Sequence, residues 1–277
     1  MIAEEKNTIA DFLDLAADYL RDGYKRDRKS HAFEDDARQP EQTNLPLAYI
    51  MEEAEEDENF PYKNDDSLYN SVIDNSVIDD SPLGGSIDKD SLETITADIA
   101  TCKTCGLAAT RNLVVPGEGA ERPVVMVIGE GPGAEEDKAG RPFVGRAGQL
   151  LDKMLESIAL FRNENCFIAN MVKCRPPGNR DPAYEEIAAC YPFLERQITL
   201  LRPRFILCAG RVAAQNLLKT STGINALRGE FKELRIGETV IPVLCTYHPS
   251  AILRNESLKR PAWEDLKLLK SRLEERD

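Results

Sequence analysis

Four groups of glycine-rich and polar residues stand behind apolar runs, and they carry most of the chemistry in the sequence. GEGPGAEED (129–137) and GRPFVGRAG (140–148) supply Gly131, Pro132 and Gly133, the acids Glu130 and Glu136, and one aromatic ring, Phe143. Asn170 is followed by KCRPPGNR (173–180), which contains Arg175 and Arg180. Gly210 and Arg211 follow a third run, and YHPSAILR (247–254) supplies His248, Ser250 and Arg254. A loop that permits close approach, an aromatic, an amide, a histidine and several arginines are what a nucleobase turned out of its stack, and the backbone around it, require.

GEGPGAEED has the outline of a phosphate loop behind a strand, but its chemistry argues otherwise. The glycines follow the spacing Gly129-x-Gly131-x-Gly133 instead of Gly-x-Gly-x-x-Gly, and no Gly-Lys-Ser or Gly-Lys-Thr follows. Pro132 removes one N–H donor, and Glu135, Glu136 and Asp137 would repel an anion. Nucleotide phosphate hydrolysis is therefore the poorest functional reading.

The Asn170 amide offers an acceptor beside a donor, which matches N3–H and O4 of uracil and mismatches the opposite pattern of cytosine. Its bland alternative is a cap on the strand end. Phe143 is either a core residue or a stacking surface, and its glycine-rich loop favours stacking. His248 is one of two histidines; Pro249 biases it to an extended backbone, so the ring points away from the loop that follows.

Four of the seven cysteines form a second constellation: Cys102-x2-Cys105, then Cys174 and Cys190. Four thiolates suit tetrahedral zinc or an iron–sulfur cluster, and the spacing does not choose between them. Cys166, Cys208 and Cys245 lie inside apolar runs and read as small buried hydrophobes.

The elements that must position these groups follow from periodicity. Strands are expected at 124–128, 166–172, 205–209 and 240–247, and helices at 147–159, 182–201, 211–219 and 263–276. Alternation with short connections implies a three-layer α/β/α fold around a central four-stranded, mainly parallel sheet. In such sheets ligands bind beyond the carboxyl ends of the strands, where all four groups stand.

The chain has 277 residues and a net charge of -13, unevenly distributed. Residues 31–91 hold 17 Asp/Glu against 3 Lys/Arg, including MEEAEEDENF and the tandem NSVIDNSVIDD, and read as a disordered acidic linker. Before it, Ile9, Phe12, Leu13, Ala16, Tyr19 and Leu20 share one helical face. That helix, in residues 1–30, either packs on its own domain or docks a protein partner, together with the linker. Residues 92–277 form the main domain and are mildly basic. No apolar run approaches the ~18 residues of a membrane span and no signal pattern opens the chain, so a cytoplasmic, monomeric protein with reduced cysteines is expected.

From Cys102 onward the chain resembles the family-4, iron–sulfur uracil-DNA glycosylases. The resemblance rests on GEGPGAEED, GRPFVGRAG, the Asn170 position, KCRPPGNR with Cys174, Cys190 and HPSAILR, in the family's order. It implies a uracil-DNA glycosylase-like fold and a [4Fe-4S] cluster on Cys102, Cys105, Cys174 and Cys190, with a structural role. The implied reaction flips uracil out of single-stranded or U:G-paired DNA and hydrolyses its N-glycosidic bond, leaving an abasic site in base excision repair. His248 is then the catalytic donor to uracil O2. Gly131, Pro132, Gly133, Glu136, Phe143 and Asn170 line the base, with Glu136 crowding the C5 position against thymine. Arg175, Arg180, Ser250 and Arg254 face DNA, and Ile252 and Leu253 are candidates to wedge into the vacated stack.

Other branches of the superfamily place Asp where this chain has Gly131, so the water-activating group does not transfer. Glu130, Glu136 or a backbone carbonyl could orient the water, and Glu130 is favoured. The equivalent of a uracil-trapping histidine loop, TSTGINALRGEF (220–231), has no His. A lyase would need a nucleophilic lysine, and Lys138 and Lys173 read as solvated surface residues. From another class, the chain could be a non-catalytic, metal-stabilised nucleic-acid-binding protein.

Overall fold

The computed structural model describes residues 90–275. The expected N-terminal helix and nearly all of the acidic linker lie outside the described residues.

Three strands, β2 (Val125–Gly129), β3 (Cys166–Asn170) and β4 (Phe205–Ala209), are buried at every residue. Continuous burial without alternation is the mark of a parallel sheet covered on both faces. With β6 (Thr239–Thr246) they form four parallel strands in the order β3-β2-β4-β6. The register aligns Gly129 with Asn170, so both strands deliver their chemistry-bearing residues at one level.

The expected four strands are the middle of a six-stranded mixed sheet. Two antiparallel edges complete it: β1 (Glu118–Gly119) on β3 and β5 (Phe231–Ile236) on β6. β1 is seated where Gly119, at φ +143, lies so close that a Cβ would stand 2.2 Å from the Cys166 carbonyl oxygen. β5 and β6 are joined by a tight hairpin in which Ile236 pairs with Thr239 and Gly237 takes a positive φ.

Helices fill the connections. α1 (Leu92–Thr101) starts at Ser91, whose hydroxyl accepts from the Thr94 N–H, and buries Ile95 and Ile99 against Phe193 of α4 (Tyr184–Leu201). α2 (Ala134–Ala139) and α3 (Arg146–Glu156) follow β2; α5 (Arg211–Leu218) and α6 (Ile224–Leu227) follow β4. After β6 come α7 (Pro249–Arg254) and α8 (Lys259–Glu274). No described helix is long and apolar enough to cross a membrane.

Candidate active site

Gly129 and Asn170 end adjacent strands, and the Phe143 ring closes over the gap between them. A Cβ on Gly129 would lie 2.5 Å from Asn170 Oδ1 and 2.5 Å from Phe143 Cζ, so only glycine leaves this cradle open. Asn170 is 1% exposed and its Oδ1 has no hydrogen-bond partner. A buried acceptor left unpaired costs about 1–3 kcal/mol, a cost that a ligand N–H arriving in the cradle would remove.

His248 stands on the third side, its ring centroid 5.6 Å from that of Phe143. Gly210, at φ +101, makes room for it, since a Cβ there would come within 2.8 Å of His248 Cβ. His248 is the N-cap of α7, and its Nδ1 accepts from the Ser250 backbone N–H at 3.1 Å, with Ser250 Oγ at 2.8 Å. A backbone N–H can only donate, so Nδ1 carries the lone pair and the ring proton belongs on Nε2. Burial, reinforced by Arg254, lowers the His248 pKa to about 4, so the ring is neutral near pH 7.

The two acids do different things. Glu136 Oε1 accepts from the N–H groups of Val144 and Gly145, both at 2.9 Å, and Oε2 from Gly133 at 3.1 Å. Its carboxylate pins the GRPFVGRAG loop to the start of α2. Glu130 is half-buried beside Asp181, Arg211 and Arg254; desolvation and then the Asp181 charge push its pKa up to about 7, against the two arginines. Around the loop, Pro132 is buried, and a Cβ on Gly131 would meet Val172 Cγ2 at 2.8 Å.

The arginines expected to face DNA are partly committed within the chain. Arg180 pairs bidentately with Glu186 at 2.7 and 2.8 Å, Arg175 Nε donates to Asn179 Oδ1 at 2.8 Å, and Arg254 Nη1 reaches Ser250 Oγ at 3.4 Å. Arg211, not anticipated as an ion-pair partner, binds Asp181. Ile252 is 1% exposed and belongs to the core, whereas Leu253 is half-buried.

Lys173 overturns the surface reading given to it. It is 1% exposed, and its Nζ donates to the Asn170 carbonyl oxygen at 2.9 Å and to Gln197 Oε1 at 2.8 Å. Nothing in the sequence around Lys173 signals this burial; its acceptor on α4 lies 24 residues away.

The four cysteines come from four places in the fold. Cys102 ends α1, Cys105 precedes a short 3-10 turn, Cys174 follows β3, and Cys190 lies in α4. Cys190 packs against both core clusters, beside Cys105 and Cys174 in one and Cys102 in the other. All four are free thiols. Burial raises the pKa of Cys174 against the Arg111 guanidinium, and that of Cys190 against the Lys173 ammonium. Arg111, missed in the sequence, donates to Cys174 Sγ at 3.1 Å and to the Cys102 carbonyl at 2.9 Å.

Comparison with known proteins agrees with this architecture. Residues 116–267 match the model of the uracil DNA glycosylase superfamily. The chain is 42% identical over 185 residues to the type-4 uracil-DNA glycosylase of Sulfurisphaera tokodaii, covering 65% of this chain and 84% of that one. It is 42% identical over 182 residues to the type-4 enzyme of Archaeoglobus fulgidus (64% and 91%). With the type-4 enzyme of Thermotoga maritima identity is 43% over 183 residues (65% and 93%). A superfamily match across the sheet and its site loops, joined to near-complete coverage of these relatives, places the chain among the type-4 uracil-DNA glycosylases.

Proposed function

We infer that the protein removes uracil from DNA by hydrolysing the N-glycosidic bond of deoxyuridine. The observation that carries this reading is the unpaired, buried Asn170 Oδ1 facing a cradle that a single methyl on Gly129 would fill. Uracil N3–H would satisfy Oδ1, while the amide N–H of the same side chain would reach O4. Phe143 provides the stacking face. Extruding the base costs a few kcal/mol, less from a mismatch or a single strand.

Cleavage develops negative charge on the uracil ring and positive charge on the sugar. Neutral His248, its Nδ1 engaged by Ser250, presents Nε2–H to O2 as that charge grows. A donor of this type contributes about 2.7–4 kcal/mol. Glu136, whose oxygens are occupied by three backbone N–H groups, acts on the C5 side of the base through the loop it pins. Glu130 is the residue left for the water, and the neighbouring carboxylate and arginines set its charge state. Arg175 and Arg254 take phosphate contacts, with Arg180 holding the KCRPPGNR loop through Glu186.

The cysteine set fits a [4Fe-4S] cluster held by Cys102, Cys105, Cys174 and Cys190. Four soft donors from three stretches of the chain come together at a half-buried site, and Arg111 supplies a positive charge against the sulfur of Cys174. As ligands of such a cluster, Cys105 and Cys174 would tie off the long chain segment between them. Iron and acid-labile sulfide in equal amounts, lost in Cys190→Ala, would support the assignment; zinc alone would overturn it.

The decisive assay is strand cutting of a single-uracil oligonucleotide after alkali treatment. The chain should cut it, and His248→Ala should bind it yet cut roughly 10²–10³-fold more slowly. Binding without cutting by the unaltered chain would favour the non-catalytic nucleic-acid-binding reading instead.

A further inference from the structure

Phe143 holds an unusual backbone for a bulky residue. Its φ is +51, the left-handed region that non-glycine residues rarely occupy. Such a conformation persists only where the surroundings over-determine it, and two groups do so here from opposite sides. Glu136 Oε1 takes the N–H groups of Val144 and Gly145. Arg162, in the connection between α3 and β3, donates Nη1 to the Pro142 carbonyl at 2.6 Å and Nη2 to the Phe143 carbonyl at 2.9 Å.

The guanidinium is itself held on its remaining sides. Glu118 Oε1 lies 2.7 Å from Nη1, and Asp152 Oδ1 accepts from Nη2 at 2.8 Å and from Nε at 3.2 Å. Its side chain is 11% exposed. A planar fork that reaches two successive carbonyls and is braced by two carboxylates is a rigid device that an ammonium could not reproduce. Gly148 lets helix α3 approach the same carbonyl, since a Cβ there would stand 1.8 Å from Phe143 O.

We propose that Arg162 is a positioning residue for uracil recognition: by clamping the carbonyls of Pro142 and Phe143 it fixes the aromatic face on which the base stacks. The proposal rests on the reading of Phe143 as that face. Neither composition nor motif singles Arg162 out.

A double-mutant cycle tests it, with free uracil as competitive inhibitor and uracil-DNA as substrate. Arg162→Gln should raise the uracil inhibition constant and KM about tenfold with a smaller change in kcat, and Arg162→Lys should recover part of the loss. In a Phe143→Ala background Arg162→Gln should add less than about twofold, because the group through which it acts is gone. Effects that multiply instead would overturn the proposal and leave Arg162 as a plain stability element. An unchanged uracil constant in Phe143→Ala alone would sink the stacking reading itself, a separate outcome. Should the Arg162 variants fold poorly, Asp152→Asn loosens the guanidinium without removing it. It should shift the uracil constant in the same direction, and a shift confined to the melting temperature would reject the assignment.

Discussion

At the scale of single residues, the pocket is a set of groups that leave one another no alternative. Gly129 stands between an unpaired amide oxygen and an aromatic edge. Gly129→Ala should therefore overpack the cradle at a cost of about 1–3 kcal/mol in stability, lowering the melting temperature, and should weaken inhibition by free uracil because the added methyl takes the space the base needs. The ionisable groups separate in the same way. His248, with its pKa lowered to about 4, stays neutral from pH 5 upward and contributes no limb to the rate profile there. Glu130, raised to about 7, gains its proton as pH falls through neutrality. If its carboxylate orients the water, single-turnover kcat should fall on the acid side of about pH 7, and Glu130→Gln should be slower and lack that limb. An unchanged limb in Glu130→Gln would remove Glu130 from the water-handling role.

At the scale of elements, the strand ends decide which residues can meet. β4 hands the chain to α5 through Gly210, whose φ of +101 excludes other residues and whose missing Cβ admits His248. Gly210→Ala should cost about 1–3 kcal/mol of backbone strain and lower the melting temperature by roughly 2–4 °C per kcal/mol. It should also slow catalysis by displacing the imidazole. Calorimetry and single-turnover rates together check this. A loss of stability with full activity would show that α7 can carry His248 without that approach. The three central parallel strands were legible because each is a short, almost wholly apolar run, and Phe205–Ala209 matches its expected bounds. The edge strand Phe231–Ile236 was not, because an edge needs no continuous apolar run: Lys232, Glu233 and Arg235 break the pattern that betrays a central strand. Much of the candidate site could be read from motifs because strand-end loops keep their chemistry in short stretches. Arg162, Lys173 and Arg111 could not, because each acts through a partner 19 to 63 residues away and carries a side chain whose usual place is the surface.

At the scale of the whole molecule, the remaining question is one of charge. The net charge of -13 would repel DNA, yet the acids concentrate between residues 31 and 91, and the sequence beyond them is slightly basic. If that acidic segment competes with phosphate for the domain's arginines, the competition is Coulombic. It must therefore weaken as the Debye length contracts from ~30 Å at 0.01 M salt to ~8 Å at 0.15 M. A chain beginning at Ser91 should bind a uracil oligonucleotide more tightly than the full chain at low salt, with the two affinities converging as salt rises. Because the freed arginines then neutralise phosphates without a rival, the shortened chain should also show the steeper dependence of log affinity on log salt. Fluorescence anisotropy across that range measures both quantities. Parallel, superimposed salt curves would mean that the acidic segment does not compete with DNA, leaving its charge for a basic protein partner.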